Sequence, residues 1–327
     1  MKIAVYNYRE FDEGAYFEKF SKIYNVEIVR IDDAPDLQNA NLAKGCFGVS
    51  VITTAITKDI IQTWSHLGIK HISTRTIGYD HIDLESAKDL GMTVSNVTYS
   101  TASVANYTVM LILMALRKMK MVMRRAVGFD YSLENSIGME LENKTVGVVG
   151  TGAIGQKVIQ NLSGFGCKII ATDPFIKKEV TKYAQYVSLE KLIKESDIIT
   201  FHVPALKDTY HIVRQETIDQ MKDGVILVNT ARGSVINTTD LINNLENGKI
   251  GACALDVIEN ELGLYYQDYK YQVIGNHELS ILRDMPNVLL TPHLAFYTEQ
   301  AVSDMVENSI ASIVASFNGE ENKFKIC

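Results

Sequence analysis

The chain has 327 residues, 46% of them hydrophobic and 22% charged, with a formal net charge of -7. That length suggests about two domains, and the composition is that of a soluble globular protein. The mildly acidic balance argues against nucleic acid or an anionic membrane as a partner. Cys46, Cys167, Cys253 and Cys327 form no CxxC pair and read as reduced structural thiols of a cytoplasmic protein. No His, Cys and Asp cluster has metal-ligand spacing, so no metal is expected.

The chain opens on a short apolar run, 2–6, which reads as a first strand and not as a signal peptide. Further runs rich in Val and Ile predict strands at 26–31, 47–52 and 71–74. Segments 15–24 and 59–66 between them have helical spacing. Strand and helix in alternation imply a parallel sheet covered by helices on both faces. A long helix over 102–119 leads out of this first unit and ends in the basic run Arg117-Lys118-Met119-Lys120, where cations are favourable. Its oily part, 104–116, includes Asn106, Tyr107 and Thr108 and is shorter than the roughly 20 residues that span a bilayer.

The alternation restarts with predicted strands at 145–149, 168–171, 197–200, 225–228, 251–255 and 288–290. The helix 239–247 stops at Gly248. A tail helix over 299–317 carries Val302, Met305, Val306, Ser309, Ile310 and Ile313 on one stripe. The fold class is therefore α/β with two doubly wound parallel-sheet units, and the tail could pack on either.

Strand 145–149 runs straight into Gly150-Thr151-Gly152-Ala153-Ile154-Gly155. This GxGxxG pattern opens a helix. Gly150 permits the tight turn, Gly152 lets a pyrophosphate approach the backbone, and Gly155 lets helix and strand pack closely. The phosphates would sit at the helix N-terminus, where N–H groups and the dipole favour anions. Asp173 follows the next strand at the spacing of the acid that binds a ribose hydroxyl, and its charge disfavours the 2′-phosphate of NADP. NAD is the expected cofactor.

Three polar residues stand near predicted strand ends in the second unit: Arg232, Glu261 and His293. Ligands of open parallel sheets bind at those ends. Hydride transfer to a 2-oxo acid needs such a set. Arg offers a planar fork to the carboxylate, His delivers a proton to the carbonyl oxygen, and a carboxylate orients the histidine and favours imidazolium. Taken singly, each has a plain structural reading: a helix-end salt bridge, a surface acid, a satisfied loop histidine.

Together, Gly150 to Gly155, Asp173, His202-Val203-Pro204, Asn229-Thr230-Ala231-Arg232-Gly233, Ala254-Leu255-Asp256-Val257 and Thr291-Pro292-His293 resemble the D-isomer-specific 2-hydroxyacid dehydrogenases, in the family's order and over nearly the whole chain. Within that family the stretches 73–83, 104–108 and 291–299 look closest to D-lactate dehydrogenases, including the type that supplies D-lactate for vancomycin resistance. The resemblance implies a Rossmann cofactor domain, 101–296, inserted into a flavodoxin-like substrate domain, 1–100 and 297–327. It implies that His202, Val203, Pro204, Thr230 and Asp256 serve the cofactor side. Backbone N–H groups at Ile77 and Gly78 would hold the substrate carboxylate beside Arg232, and Tyr99 would close over the substrate. Ile52 and Phe296 would wall its side chain. Family members are commonly dimers built through the cofactor domain, which gives the helix 102–119 a partner surface. Two positions depart from the family: Thr101 stands where relatives usually carry Pro, and Asn106 where they often carry an acid. Both bear on hinge stiffness.

These residues predict an NAD-dependent reduction of a small 2-oxo acid to its D-2-hydroxy acid, with pyruvate to D-lactate favoured. The alternatives are the same chemistry on a bulkier acid, such as 4-methyl-2-oxopentanoate or phenylpyruvate, and an NAD-sensing binding protein. The complete Arg232, Glu261 and His293 set favours an enzyme. No role in the chemistry is expected of His66, His71, His81, His211 or His277.

Overall fold

The short apolar runs form two sheets whose strands are all parallel. The computed structural model describes residues 1–327, in two units: Met1–Ser100 with Tyr297–Cys327, and Thr101–Phe296. The first unit opens with β1 (Lys2–Val5), α1 (Gly14–Tyr24), β2 (Glu27–Arg30), β3 (Gly48–Val51), α2 (Lys58–His66), β4 (His71–Thr74), α3 (Leu84–Asp89) and β5 (Thr93–Ser95). Its sheet order is β2-β1-β3-β4-β5, the flavodoxin-like arrangement. β3 and β4 are buried at every residue, which is why they read as continuous apolar or small-residue runs without alternation.

The second unit begins with α4 (Ala102–Leu116) and α5 (Met119–Val127). It continues through β6 (Thr145–Val149), α6 (Ala153–Leu162), β7 (Lys168–Thr172), β8 (Gln185–Tyr186), α7 (Leu189–Glu195), β9 (Ile198–Phe201), α8 (Gln215–Ile218) and β10 (Val225–Asn229). It ends with α9 (Thr238–Glu246), β11 (Ile250–Leu255), α10 (His277–Asp284) and β12 (Val288–Leu290). Its sheet order, β12-β11-β10-β9-β6-β7-β8, is the Rossmann winding with a seventh strand. The last helix, α11 (Glu299–Asn318), belongs to the first unit.

Each sheet is covered on both faces. In the first unit α2 supplies Ile60, Ile61 and Trp64 to one core. α1 and α11 supply Phe17, Phe20, Val306, Ile310 and Ile313 to the other, so the tail stripe is buried as its spacing predicts. In the second unit α4 and α6 cover one face with Leu111, Ile112, Val158 and Ile159. The other face is closed by α7, α9 and α10, through residues such as Leu192, Leu241 and Leu282.

The helix expected over 102–119 is two helices. α4 stops at Leu116, Lys118 takes a left-handed conformation at φ 52, and α5 restarts at Met119. The basic run is the joint between them. Lys120 donates to the carbonyls of Arg283 and Met285 at 2.7 and 2.6 Å, so it serves the end of α10 and not the end of α4. Strands β5 and β8 escape prediction: Thr93–Ser95 and Gln185–Tyr186 are short and mostly polar, whereas the equally short β12, Val288–Leu290, is apolar throughout and is predicted. No helix is long and apolar enough to cross a membrane.

Candidate active site

The glycine-rich turn joins β6 to α6. Gly150 has φ +92, and a Cβ there would lie 2.5 Å from the His202 carbonyl oxygen. A Cβ on Gly155 would lie 2.1 Å from the Gly150 carbonyl oxygen. Both positions are therefore closed to any side chain. Gly152 differs: a Cβ would meet nothing within 4 Å, and this residue caps α6 without a side-chain hydrogen bond. An open backbone approach over an uncapped helix N-terminus is what a pyrophosphate requires. Ile154 lies half-buried in the first turn of α6, packed against the core beneath it.

Asp173 follows β7 and is tied to this turn. Its carboxylate accepts from the Thr151 N–H at 2.6 Å and from the Phe175 N–H at 2.8 Å. His202 follows β9: its N–H donates to the Val149 carbonyl at 2.7 Å, and its Nε2 lies 3.0 Å from the Thr200 hydroxyl. Val203 is half-buried and packs on the core, whereas Pro204 is exposed. The residues fit a dinucleotide: a glycine cradle, an uncapped helix start, and a carboxylate at the end of the adjacent strand.

A second cluster forms where β10, β11 and β12 end. Asp256, just past β11, is 1% exposed. It accepts from the Thr291 hydroxyl at 2.6 Å and from the N–H groups of Leu294 and Ala295, both at 2.9 Å. Burial pushes its carboxyl above the usual carboxylate range, and these three bonds oppose that shift. The same bonds shape the turn that carries His293, whose own N–H donates to the Asp256 carbonyl at 2.8 Å.

His293 sits at φ +53, a strained conformation for a residue with a Cβ. Its Nδ1 lies 2.6 Å from Glu261 Oε1, while Glu261 Oε2 accepts from the Ile258 N–H at 3.0 Å. The carboxylate is thus fixed at both oxygens, and the second ring nitrogen, Nε2, is left to meet a substrate. Tyr266 donates to the His293 carbonyl at 2.8 Å. Phe296 stands edge-on to the imidazole, with ring centroids 6.3 Å apart at 82°.

Arg232 lies in the turn after β10. Asn229 Nδ2 donates to the Arg232 carbonyl at 2.8 Å, and the Asn229 carbonyl accepts from the Asp256 N–H at 2.9 Å. Arg232 Nη1 donates to the Ala231 carbonyl at 2.8 Å. Thr230, 9% exposed, shares a 2.9 Å hydrogen bond with Thr108 of α4. Asn106, also on α4, accepts from Asn161 Nδ2 at 2.9 Å. The strand ends therefore bring Arg232, Asp256, Glu261 and His293 into one bonded frame.

The first unit places its own candidates on three segments, after β3, β4 and β5. Ile52 directly follows β3 and is 5% exposed. After β4, the Thr76 carbonyl accepts from the Val97 N–H at 3.1 Å, and the Ile77 carbonyl accepts from Asn96 Nδ2 at 2.8 Å. A trans peptide sets N–H opposite to C=O, so the N–H groups of Ile77 and Gly78 point away from the 96–97 segment. Tyr99 is half-buried. α11 holds the segment around it, through Asn308 to the Thr98 carbonyl and Asp304 to the Ser100 N–H, at 2.7 and 2.9 Å.

Sequence reasoning missed one polar pair. His211 Nε2 lies 2.6 Å from Glu259 Oε1. The partners are 48 residues apart, with no local pattern to join them.

Comparison with known proteins identifies the family. Residues 109–295 match the family described as D-isomer specific 2-hydroxyacid dehydrogenase, NAD binding domain. A D-specific alpha-keto acid dehydrogenase of Enterococcus faecium is 44% identical over 310 residues, 94% of each chain. An aromatic 2-oxoacid reductase of Clostridium sporogenes is 40% identical over 316 residues, 96% of this chain and 95% of that one. Among solved structures, a D-lactate dehydrogenase from Treponema pallidum superposes with a TM-score of 0.89 at 32% identity, covering 100% of both chains.

Proposed function

The chain belongs to the D-isomer-specific 2-hydroxyacid dehydrogenases, and from that premise we propose that its preferred reaction is the reduction of pyruvate to D-lactate. It is an NAD-dependent enzyme of the 2-oxo acid to D-2-hydroxy acid class. The observation that carries the residue roles is the 2.6 Å contact of His293 Nδ1 with a carboxylate that is itself fixed at both oxygens.

When bound, NADH supplies the hydride. Gly150, Gly152, Ile154 and Gly155 receive its pyrophosphate, and Asp173 its adenosine ribose. His202, Val203, Pro204, Thr230 and Asp256 line its place. Arg232 holds the substrate carboxylate with a two-pronged fork and polarises the carbonyl. His293 donates from Nε2 to the carbonyl oxygen as charge builds there. Glu261 fixes the ring for that transfer. Ile77 and Gly78 offer N–H groups to the carboxylate, and Tyr99 covers the substrate.

Phe296 and Ile52 wall the substrate's side chain. Both are apolar and neither brings a cation, so a distal carboxylate would be buried unpaired at a cost of several kcal/mol. The edge-on Phe296 ring fills space beside His293 and favours a methyl group. The test is kcat/KM with NADH for six acids. We expect pyruvate first, 2-oxobutyrate next, then phenylpyruvate and 4-methyl-2-oxopentanoate, with 2-oxoglutarate and oxaloacetate at least about a hundredfold below pyruvate. A lead for the branched or aromatic acid would overturn pyruvate as substrate.

The protein works as a homodimer through its cofactor unit. α4 is largely buried within that unit, but the end of α5 and the segment after it expose Val127, Phe129, Tyr131, Leu133 and Ile137 at 74–88%. So much exposed apolar area is a mark of an interface, and a second copy of the chain is the occupant. The four free thiols fit a reducing cytoplasmic setting.

A further inference from the structure

The loop that carries Glu261 holds a second carboxylate, Glu259, and that residue faces away from His293. Its Oε2 accepts from the Thr238 N–H at 2.8 Å and the Thr238 hydroxyl at 2.7 Å, at the start of α9. Its Oε1 takes His211 Nε2 at 2.6 Å. The contact matches that of His293 with Glu261 in length and side-chain exposure, 19% and 17% against 23% and 19%, but runs through Nε2 where His293 uses Nδ1.

His211 is itself fastened to the segment that follows Arg232. Its N–H donates to the Ser234 carbonyl at 2.9 Å, and Val213 and Asn237 continue the pairing with Val235 and Val213 at 3.1 and 2.9 Å. Between the two loops, Gly233 packs backbone on backbone against Ile258: a Cβ there would lie 2.0 Å from that carbonyl. The Arg232 turn and the Glu261 loop are therefore pressed together at Gly233 and joined through Glu259, which takes two hydrogen bonds from Thr238 on one oxygen and His211 on the other.

The neighbours select the form of the imidazole. Asn237 Oδ1 accepts from the Asp240 N–H at 2.9 Å, so its Nδ2 faces His211 Nδ1, 3.3 Å away. Nδ1 must then accept, and the ring hydrogen lies on Nε2, toward Glu259. Tyr210 stacks on the ring at 3.9 Å, and His211 holds φ +48. A strained, oriented histidine with both ring nitrogens engaged within the protein points to a role in holding the structure around it.

We propose that His211 and Glu259 are a positioning pair that locks the Glu261 loop to the Arg232 turn, and so sets the alignment of the proton donor with the group that holds the substrate. The proposal rests on the roles given above to Arg232, Glu261 and His293. Glu259 and Glu261 are two residues apart, so a shift of the first displaces the second, and misplacement of about 1 Å in such a site costs on the order of a hundredfold in rate.

The test compares His211→Phe, His211→Gln and Glu259→Gln with Glu261→Gln, alone and combined with His211→Phe, by kcat for pyruvate and by NADH binding. His211→Phe keeps the ring and loses the donor; its kcat should fall roughly tenfold to a hundredfold, with NADH affinity within about twofold. His211→Gln, whose amide can donate to Glu259, should recover most of the loss. In the Glu261→Gln background, His211→Phe should cost less than about threefold more, because the residue it acts through is already gone. Wild-type kcat in His211→Phe, fully multiplicative losses in the double variant, or no recovery in His211→Gln would each overturn the pair as a positioning device. Should His211→Phe fail to fold, Glu259→Gln carries the same comparison. Wild-type kcat in Glu261→Gln would instead sink the site reading, and this inference with it.

Discussion

His293 is held in a left-handed backbone conformation by bonds to Asp256 and Thr291, and its ring is held by Glu261. Strain at a residue that three neighbours fix is a mark of preorganisation. If the imidazolium is the proton donor, reduction slows as pH rises and oxidation of the D-hydroxy acid slows as pH falls. Glu261→Gln removes the carboxylate that holds the ring from 2.6 Å at Nδ1. With the ring no longer held by a charged partner, kcat should fall by about one to two orders of magnitude. Wild-type kcat in stopped-flow or steady-state rates would rule out the pairing. At this scale Arg232, Glu261 and His293 were legible because each follows a predicted strand. Glu259 was not, because two acids in one loop look alike until the fold gives each a histidine.

The turn between β6 and α6 joins residue to element. Gly155 lets α6 lie against the Gly150 carbonyl, and a Cβ there would lie 2.1 Å from that oxygen. Backbone cannot give as a flexible side chain can, so Gly155→Ala forces α6 away from β6. We expect a loss of about 2–4 kcal/mol in stability, a Tm lower by roughly 5–10 °C, and NADH affinity reduced at least about tenfold. Thermal melting with an NADH titration checks this, and wild-type values would show that the turn opens freely. The same scale holds the main correction to the sequence reading. A continuous apolar spacing predicted one helix over 102–119, but its basic end is a break at Lys118, and α5 has no buried residue. Helical spacing continues through such a joint, so it gives no sign of the change in direction.

For the molecule as a whole, two predictions concern assembly and acid stability. Leu133 and Ile137, 88% and 82% exposed, lie in the apolar segment after α5. Leu133→Glu with Ile137→Glu would bury unpaired charge in a dimer and raise its dissociation constant by roughly a hundredfold or more. Light scattering should then report a monomer; an intact dimer would place the interface elsewhere. His71, in β4, is fully buried with Nε2 2.7 Å from the Ser95 hydroxyl, and burial lowers its pKa from 6.5 to about 3. It stays neutral when folded and takes a proton on unfolding anywhere between those values. The unfolded state then binds more protons, so stability rises with pH across that window and is lost as pH falls from 6.5 toward 3, at about 1 kcal/mol per pH unit. Tm measured against pH should fall less steeply in His71→Gln. An unchanged slope would show that other groups carry the acid sensitivity.

The sequence by itself determined the α/β class, the family and the cofactor, because these depend on local patterns. Strand and helix periods, a glycine spacing that only one kind of turn needs, and an acid at the end of the next strand are all written within a few tens of residues. The tertiary structure decided what depends on distant approach. It gave α11 a place in the first unit, where its stripe meets α1 and β3. It divided Glu259 from Glu261, and it turned the Ile77 and Gly78 amides by bonding their neighbouring carbonyls to residues 96 and 97. It also buried α4 and left the segment after α5 exposed. Hydrogen bonds and packing between residues far apart in the chain leave no local spacing to read, so only the folded structure assigns them.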